Sequence, residues 1–346
     1  MADASAFEAT LQAAWRRRGA LACVLWPLSL LYRLVTATRR WLYAIGWFSS
    51  ESVAVPVLVV GNLVAGGAGK TPVVLALVRR AQARGIAVGV VSRGHGRRLT
   101  RHLPDLREVG GESDASLVGD EPLLIQSLTG APVFVARDRV AAARALCKRH
   151  PQTRLIVSDD GLQHLALRRD AEICVLGADG VGNGWLLPAG PLREAGRSVT
   201  WVLDAGMAVG VLPTPVAGLS ARRGHYSCRR SLAQHAQDSS GRRVALASLV
   251  GRPVWAVAGI AHPQRFFSML SALGVRLAGT DALPDHAAFD QYVSGAAPDM
   301  PLLCTEKDAV KLWRLRPDAL AVPLELDIDP AFFRSFEEWL VETIGR

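Results

Sequence analysis

The stretch that most constrains this chain is the apolar run Val55-Pro56-Val57-Leu58-Val59-Val60, which leads into Gly61-Asn62-Leu63-Val64-Ala65-Gly66-Gly67-Ala68-Gly69-Lys70-Thr71. It reads as a buried strand, a glycine-rich turn and the first turn of a helix running through Pro72 to Arg80. A nucleotide phosphate tail needs that order. Backbone N–H groups of Gly66, Gly67, Ala68 and Gly69 can close around phosphate oxygens at a helix N-terminus. Lys70 can reach the β/γ oxygens and the Thr71 hydroxyl can ligate Mg²⁺. Pro72 fits an early helical position, where a missing N–H costs nothing. The loop is a P-loop of displaced form, because Val64 stands where the usual pattern has its first glycine.

The 346 residues suffice for two ordinary domains, and a half-hydrophobic composition lets both bury cores. The excess of 40 Lys+Arg over 31 Asp+Glu gives a net charge of +9, weighted toward arginine. Such a surface favours phosphate or anionic-lipid partners. No basic run interleaved with aromatics suggests nucleic acid. Cys23, Cys147, Cys174, Cys228 and Cys304 are scattered singly, which argues against a disulfide framework and a zinc site.

Four segments are expected: 1–50, an N-terminal membrane-associated helical segment; 51–204, a P-loop core; 205–251, a linker; and 252–346, a second, smaller α/β domain. Strands apolar on both faces (86–92, 131–136, 155–158, 172–176), alternating with helical stretches, predict a parallel sheet covered on both sides. The alternation restarts at Pro253. Within the first segment, Gly19–Tyr32 is uncharged and flanked by arginines. Either it spans a bilayer with Arg33 snorkelling, or it lies in the interface with Trp26, Tyr32, Trp41, Tyr43 and Trp47 at headgroup depth. A cleaved signal peptide and a plain packed helix are the rival readings.

Asp159-Asp160 stand where the strand 155–158 runs out, the place for a metal-binding carboxylate in a P-loop protein. Asp120-Glu121 follow Val118-Gly119 in an expected loop, where a carboxylate could accept the proton of an attacking hydroxyl. Asp285-His286 follow Pro284 in the second unit.

Together, Val60–Leu63 with Gly67–Pro72, Ser92–Arg97, Val118–Pro122, Ala136–Asp138, Ser158–His164, Leu187–Glu194 and Thr305–Ala309 resemble, in order, the tetraacyldisaccharide 4'-kinases of lipid A synthesis. His95 departs from the aromatic residue usual in that family. The resemblance implies transfer of the ATP γ-phosphoryl to the 4'-hydroxyl of an acylated glucosamine disaccharide 1-phosphate, at the cytoplasmic face of the bacterial inner membrane. It assigns Asp120 as catalytic base, His286 as its partner across the cleft, and Lys70 and Thr71 to the phosphates and Mg²⁺. It further sets Asp159 and Asp160 on the metal side, with Glu121 assisting. Arg93, Arg137 and Arg193 would face phosphate groups, and Asn62 and Gln163, within the matching motifs, are expected beside phosphate or substrate. A membrane-associated switch ATPase with a deviant P-loop is the alternative; it would need no second α/β unit.

Overall fold

The structure, a computed structural model, describes residues 10–11, 13–66, 69–98, 104–177, 179–206, 218–285, 287–290, 292–297 and 299–345. The chain opens with helix α1 (Ala20–Ala44), then alternates: β1 (Val57–Gly61), α2 (Lys70–Ala83), β2 (Val88–Ser92), β3 (Arg107–Val109), α3 (Ala115–Val118), α4 (Asp120–Thr129), β4 (Val133–Val135), α5 (Arg139–Arg149), β5 (Leu155–Asp159) and β6 (Ala171–Leu176). There follow β7 (Ser198–Val199), β8 (Trp201–Asp204), β9 (Ser220–Ala221), β10 (His225–Leu232), β11 (His235–Gln237), β12 (Arg243–Ala245), β13 (Pro253–Ala258), α6 (Pro263–Ala272), β14 (Arg276–Ala282), β15 (Leu302–Thr305), α7 (Glu306–Leu312), β16 (Leu320–Val322), β17 (Leu324–Ile328) and α8 (Pro330–Ile344).

Nine strands form the larger sheet in the order β17-β10-β8-β6-β1-β5-β2-β4-β3. It is parallel from β10 to β4, and only β17 and β3, its two edges, run antiparallel to their neighbours. The five residues of β1, β2 and β5 are buried throughout, which is why their sequences do not alternate between apolar and polar residues. α2, α4 and α8 cover one face and α5 the other, giving two apolar layers. A second sheet, β12-β11-β16-β15-β13-β14, carries the smaller domain, with α6 and Leu303 among its core residues.

Two expectations about organisation need correction. Segment 205–251 contains β10, which pairs with β8 and β17 of the large sheet, and β11 and β12, which belong to the second sheet. Its Gly- and polar-rich composition hides these strands because partly exposed strand faces do not demand apolar runs. The chain also returns: α8 packs Phe332, Phe336 and Trp339 around the buried Trp201 of β8. Each such side chain contributes about 1.5–3 kcal/mol by burial, so the C-terminal helix is part of the first core.

α1 is 25 residues long, which at 1.5 Å per residue reaches roughly 37 Å. By length and composition it could cross a membrane. It instead lies against the 185–196 segment, with Ala22 and Ser29 buried and Val24, Leu31, Leu34 and Val35 turned outward. Ser29 Oγ donates to Leu186 O (2.8 Å) and accepts from Ala189 N (3.0 Å), and Tyr32 OH donates to Arg193 O (2.9 Å).

Candidate active site

Parallel register brings the candidate site residues to one edge. Val60 of β1 pairs with Asp159 of β5, and Val91 of β2 with Ser158, so the P-loop, the aspartates and Ser92 all emerge together at the carboxyl ends of the strands. The loop then turns into α2 through Gly69, whose φ of 74° and ψ of 44° are left-handed. A side chain there would strain the backbone and meet the Arg230 guanidinium at 2.2 Å, so only glycine fits. Gly67 and Ala68 lie outside the described residues.

Asn62 is fully buried, and its amide organises the loop: Nδ2 donates to Val64 O (2.8 Å) and Gly66 O (3.4 Å). Its Oδ1 accepts from Lys70 Nζ (3.3 Å), which aims the ammonium. Gln163 likewise donates to Asn62 O (3.0 Å) and Glu194 Oε1 (2.9 Å). Both side chains are therefore tied into the scaffold under the site.

The two aspartates have opposite electrostatics. Asp159 is 1% exposed, and burial, with the Glu121 and Asp160 carboxylates nearby, raises its carboxyl to about 7 despite Lys70 and the Ser92 hydroxyl, which donates to Oδ2 at 3.2 Å. Burial acts on Asp160 in the same direction, but Lys70 (3.4 Å) and Arg193 (3.3 Å) outweigh it and hold that carboxyl below its ordinary range. Asp160 also sits at φ 48°, a strained conformation for a non-glycine residue, with its carbonyl accepting from Arg139 Nη2 (3.0 Å).

Asp120 and Glu121 do not lie in a loop: they open α4, entered through Gly119 at φ 96°. The close approach of Gly119 to Gly94, where a Cβ would stand 3.1 Å from the Gly94 Cα, sets this helix start against the turn after β2. Across from it the second domain delivers Lys311 Nζ to Asp120 Oδ2 (2.8 Å), and Lys307 Nζ lies 3.9 Å from Glu121 and 3.1 Å from Asp285. His286 lies outside the described residues.

A cleft of about 1180 Å³ joins these parts. Lys70, Glu121, Asp159, Asp160, Arg93, Arg137, Gln163 and Arg193 line it, and it continues to Tyr32 and Arg39 on α1 and to His262 and Arg265 of the second domain. Four contributors escape a sequence reading: Ser92, the buried Arg139, His164 and Lys311. Burial, then Arg139, pushes the His164 imidazole down to about 4, so it is neutral and its Nε2 can accept from Arg139 N (3.3 Å). The two lysines of α7, spaced i and i+4, were the one available signal, but nothing in sequence names what they face.

Among the described residues no cluster of three His, Cys, Asp or Glu forms a complete metal cage. Mg²⁺ in phosphoryl transfer needs no such cage, since it takes one or two carboxylates and completes its shell with phosphate and water. The donor set fits that demand: Asp159 Oδ1 is buried without a hydrogen-bond partner, at the strand end nearest Lys70 and Glu121.

The model of the family described as tetraacyldisaccharide-1-P 4'-kinase matches residues 21–343. The tetraacyldisaccharide 4'-kinase of Verminephrobacter eiseniae is 54% identical over 331 residues, covering 94% of this chain and 74% of the relative. That of Acidovorax sp. strain JS42 is 54% identical over 328 residues, covering 94% and 93%. In fold the chain is similar to a crystal structure of LpxK from Aquifex aeolicus in complex with ATP, with a TM-score of 0.77 at 24% identity over 92% of this chain and 99% of that one. A match over nearly the whole length makes this chain a member of the tetraacyldisaccharide 4'-kinase family.

Proposed function

We propose the following division of labour for the kinase reaction, in which the γ-phosphoryl of ATP passes to the 4'-hydroxyl of a tetraacyl disaccharide 1-phosphate. Lys70 and the loop Gly66–Gly69 hold the β- and γ-phosphates, with Arg193 adding charge from the opposite wall. Thr71, Asp159, Asp160 and Glu121 are the residues that would hold Mg²⁺, which when bound offsets phosphate charge. Asp120 accepts the proton of the attacking hydroxyl, with His286 as its partner. Arg93 and Arg137, on the cleft wall, meet phosphate groups of nucleotide or lipid. Closing the second domain over the cleft supplies positioning and excludes water, which is most of what phosphoryl transfer asks of a protein.

The observation that carries this reading is continuity: one cleft runs from Lys70 and Asp159 to Tyr32 and Arg39 on α1. A polar phosphate site thus opens beside a helix whose outward side chains Val24, Leu31 and Leu34 are 75%, 58% and 63% exposed. Such a surface suits an acyl-bearing acceptor held in a membrane interface. The bonds from Ser29 and Tyr32 to the 186–193 backbone support a helix that lies in that interface, held against the domain. The membrane is the inner one and the face cytoplasmic, where ATP is present.

The test is phosphate transfer from labelled ATP with and without tetraacyl disaccharide 1-phosphate in mixed micelles. Transfer should require the disaccharide. ATP hydrolysis of equal rate with empty micelles would overturn the kinase assignment in favour of a switch ATPase.

A further inference from the structure

The chain has four lysines, Lys70, Lys148, Lys307 and Lys311, against a large excess of arginine. Lys70 lies at the P-loop, and Lys307 and Lys311 lie on α7 of the second domain, facing Glu121 and Asp120. On α7 they form a stripe. Lys307, Lys311 and Arg314, just past the helix end, are spaced i, i+4 and i+7, one face of a helix. Opposite them stand Glu121, Asp120 and Asp114 of the first domain, at 3.9, 2.8 and 3.8 Å.

Within this seam the Lys311–Asp120 contact differs from the other two. Its side chains are only 11% and 7% exposed, whereas Arg314 and Asp114 are about half exposed and their pair contributes little. Lys311 Nζ also donates to Ala287 O at 2.7 Å, so a single ammonium joins the Asp120 carboxylate to the 284–287 loop. The helix that presents it is itself fixed. Thr305 Oγ1 donates to Asp308 Oδ2 at 2.6 Å, and Gly259 N donates to the same oxygen at 3.0 Å, which locks the start of α7 to the end of β13.

The geometry points to Lys311 as a positioning residue for Asp120: the second domain reaches across the cleft with one lysine and sets the orientation of the base in the first. A carboxylate at the start of a helix can rotate about its side-chain torsions. Held by Lys311 through Oδ2 at 2.8 Å, it is set in one orientation. Removing the ammonium takes away the charged contact at Oδ2, while the contacts that Lys70 and the loop offer ATP are untouched. The inference rests on the reading of Asp120 as the base.

The experiment is a double-mutant cycle of Lys311→Met and Asp120→Asn, read as single-turnover phosphoryl transfer with purified full-length protein, plus Lys311→Arg. Lys311→Met should lower turnover by roughly 10- to 100-fold, the scale of a catalytic group misplaced by about 1 Å. The Michaelis constant for ATP should stay within about twofold, and Lys311→Arg should restore most of the loss by keeping the charge. In the Asp120→Asn background Lys311→Met should cost nothing further.

Turnover of Lys311→Met within threefold of the unmodified enzyme overturns the proposal, as does an equal loss in both backgrounds. A loss through the ATP Michaelis constant rather than turnover overturns it too. If Asp120→Asn itself keeps near-full turnover, the base reading fails first and the positioning role with it. If Asp120→Asn loses most of its turnover but keeps a measurable rate, and the losses still add, only the positioning role fails. Should Lys311→Met not fold, Lys311→Arg and Lys311→Gln decide: equal activity of the two would show that the ammonium does not matter.

Discussion

The ammonium of Lys70 stands 3.4 Å from the Asp160 carboxylate, so the cation of the phosphate-binding loop is braced by an acid that arrives on a different strand. Arg193 shares the same carboxylate at 3.3 Å. Before nucleotide arrives, the two positive groups that would meet its phosphates are therefore held in place by one negative group. This pairing costs little when phosphate displaces it, because the exchange is anion for anion.

Lys70→Ala should reduce phosphoryl transfer by at least about 10²- to 10³-fold, the range for losing one preorganised charge at a developing transition state. The measurement is single-turnover transfer at saturating ATP. Activity within tenfold of the parent would remove Lys70 from the site.

Gly69→Ala tests the turn. The left-handed backbone at φ 74° costs a non-glycine residue about 1–2 kcal/mol. The added methyl would also press on the Arg230 guanidinium. Affinity for ATP should fall by tenfold or more, and denaturant unfolding should show a loss of at least the backbone strain. Unchanged ATP binding would mean that the loop is not the phosphate site.

Asp159 and His164 make opposite demands on pH. The folded-state pKa of Asp159 is raised above its ordinary value, to about 7. The folded protein thus binds more protons than the unfolded chain between pH 4 and 7, and stability is lost as pH rises through that window. For His164, lowered to about 4, the unfolded chain binds more protons between pH 6.5 and 4, and stability is lost as pH falls. The two slopes oppose each other where they overlap. In the nucleotide-free protein, Asp159→Asn should raise the melting temperature at pH 8 by at least about 2–4 °C, the equivalent of 1 kcal/mol in a domain of this size. The gain should shrink toward pH 5, and a gain independent of pH would exclude the titration as its cause.

The outward face of α1 makes a separable prediction. Replacing Val24, Leu31 and Leu34 together by Glu should lower partition onto anionic vesicles by at least 10²-fold, since each apolar side chain kept from the bilayer forfeits about 1.5–3 kcal/mol. ATP affinity in solution should not change. Tyr32→Phe, on the inward face, should instead leave partition intact and lower thermal stability through the lost bond to Arg193 O. If both variants affect both readouts, the two faces of the helix are not independent.

The local rules of the chain determined the parts. Largely apolar, non-alternating runs marked β1, β2, β5 and β6 as buried parallel strands, and Gly69-Lys70-Thr71 after such a run marked the candidate phosphate loop, because few other backbones satisfy that combination. Tertiary structure decided what those parts do to one another. The strands of 205–251 were invisible because partly exposed strand faces need no apolar pattern, and the first turn of α4 was invisible because Gly119 and Pro122 read as a loop. That Asn62 braces Lys70 and that Arg139 lies buried behind Asp160 follow only from the packing of the first domain, and that Lys311 meets Asp120 across 191 residues follows only from packing two domains. Sequence specifies such contacts through the fold as a whole: a lysine on a helix declares its charge locally, but its partner is chosen by the register of sheets far away in the chain.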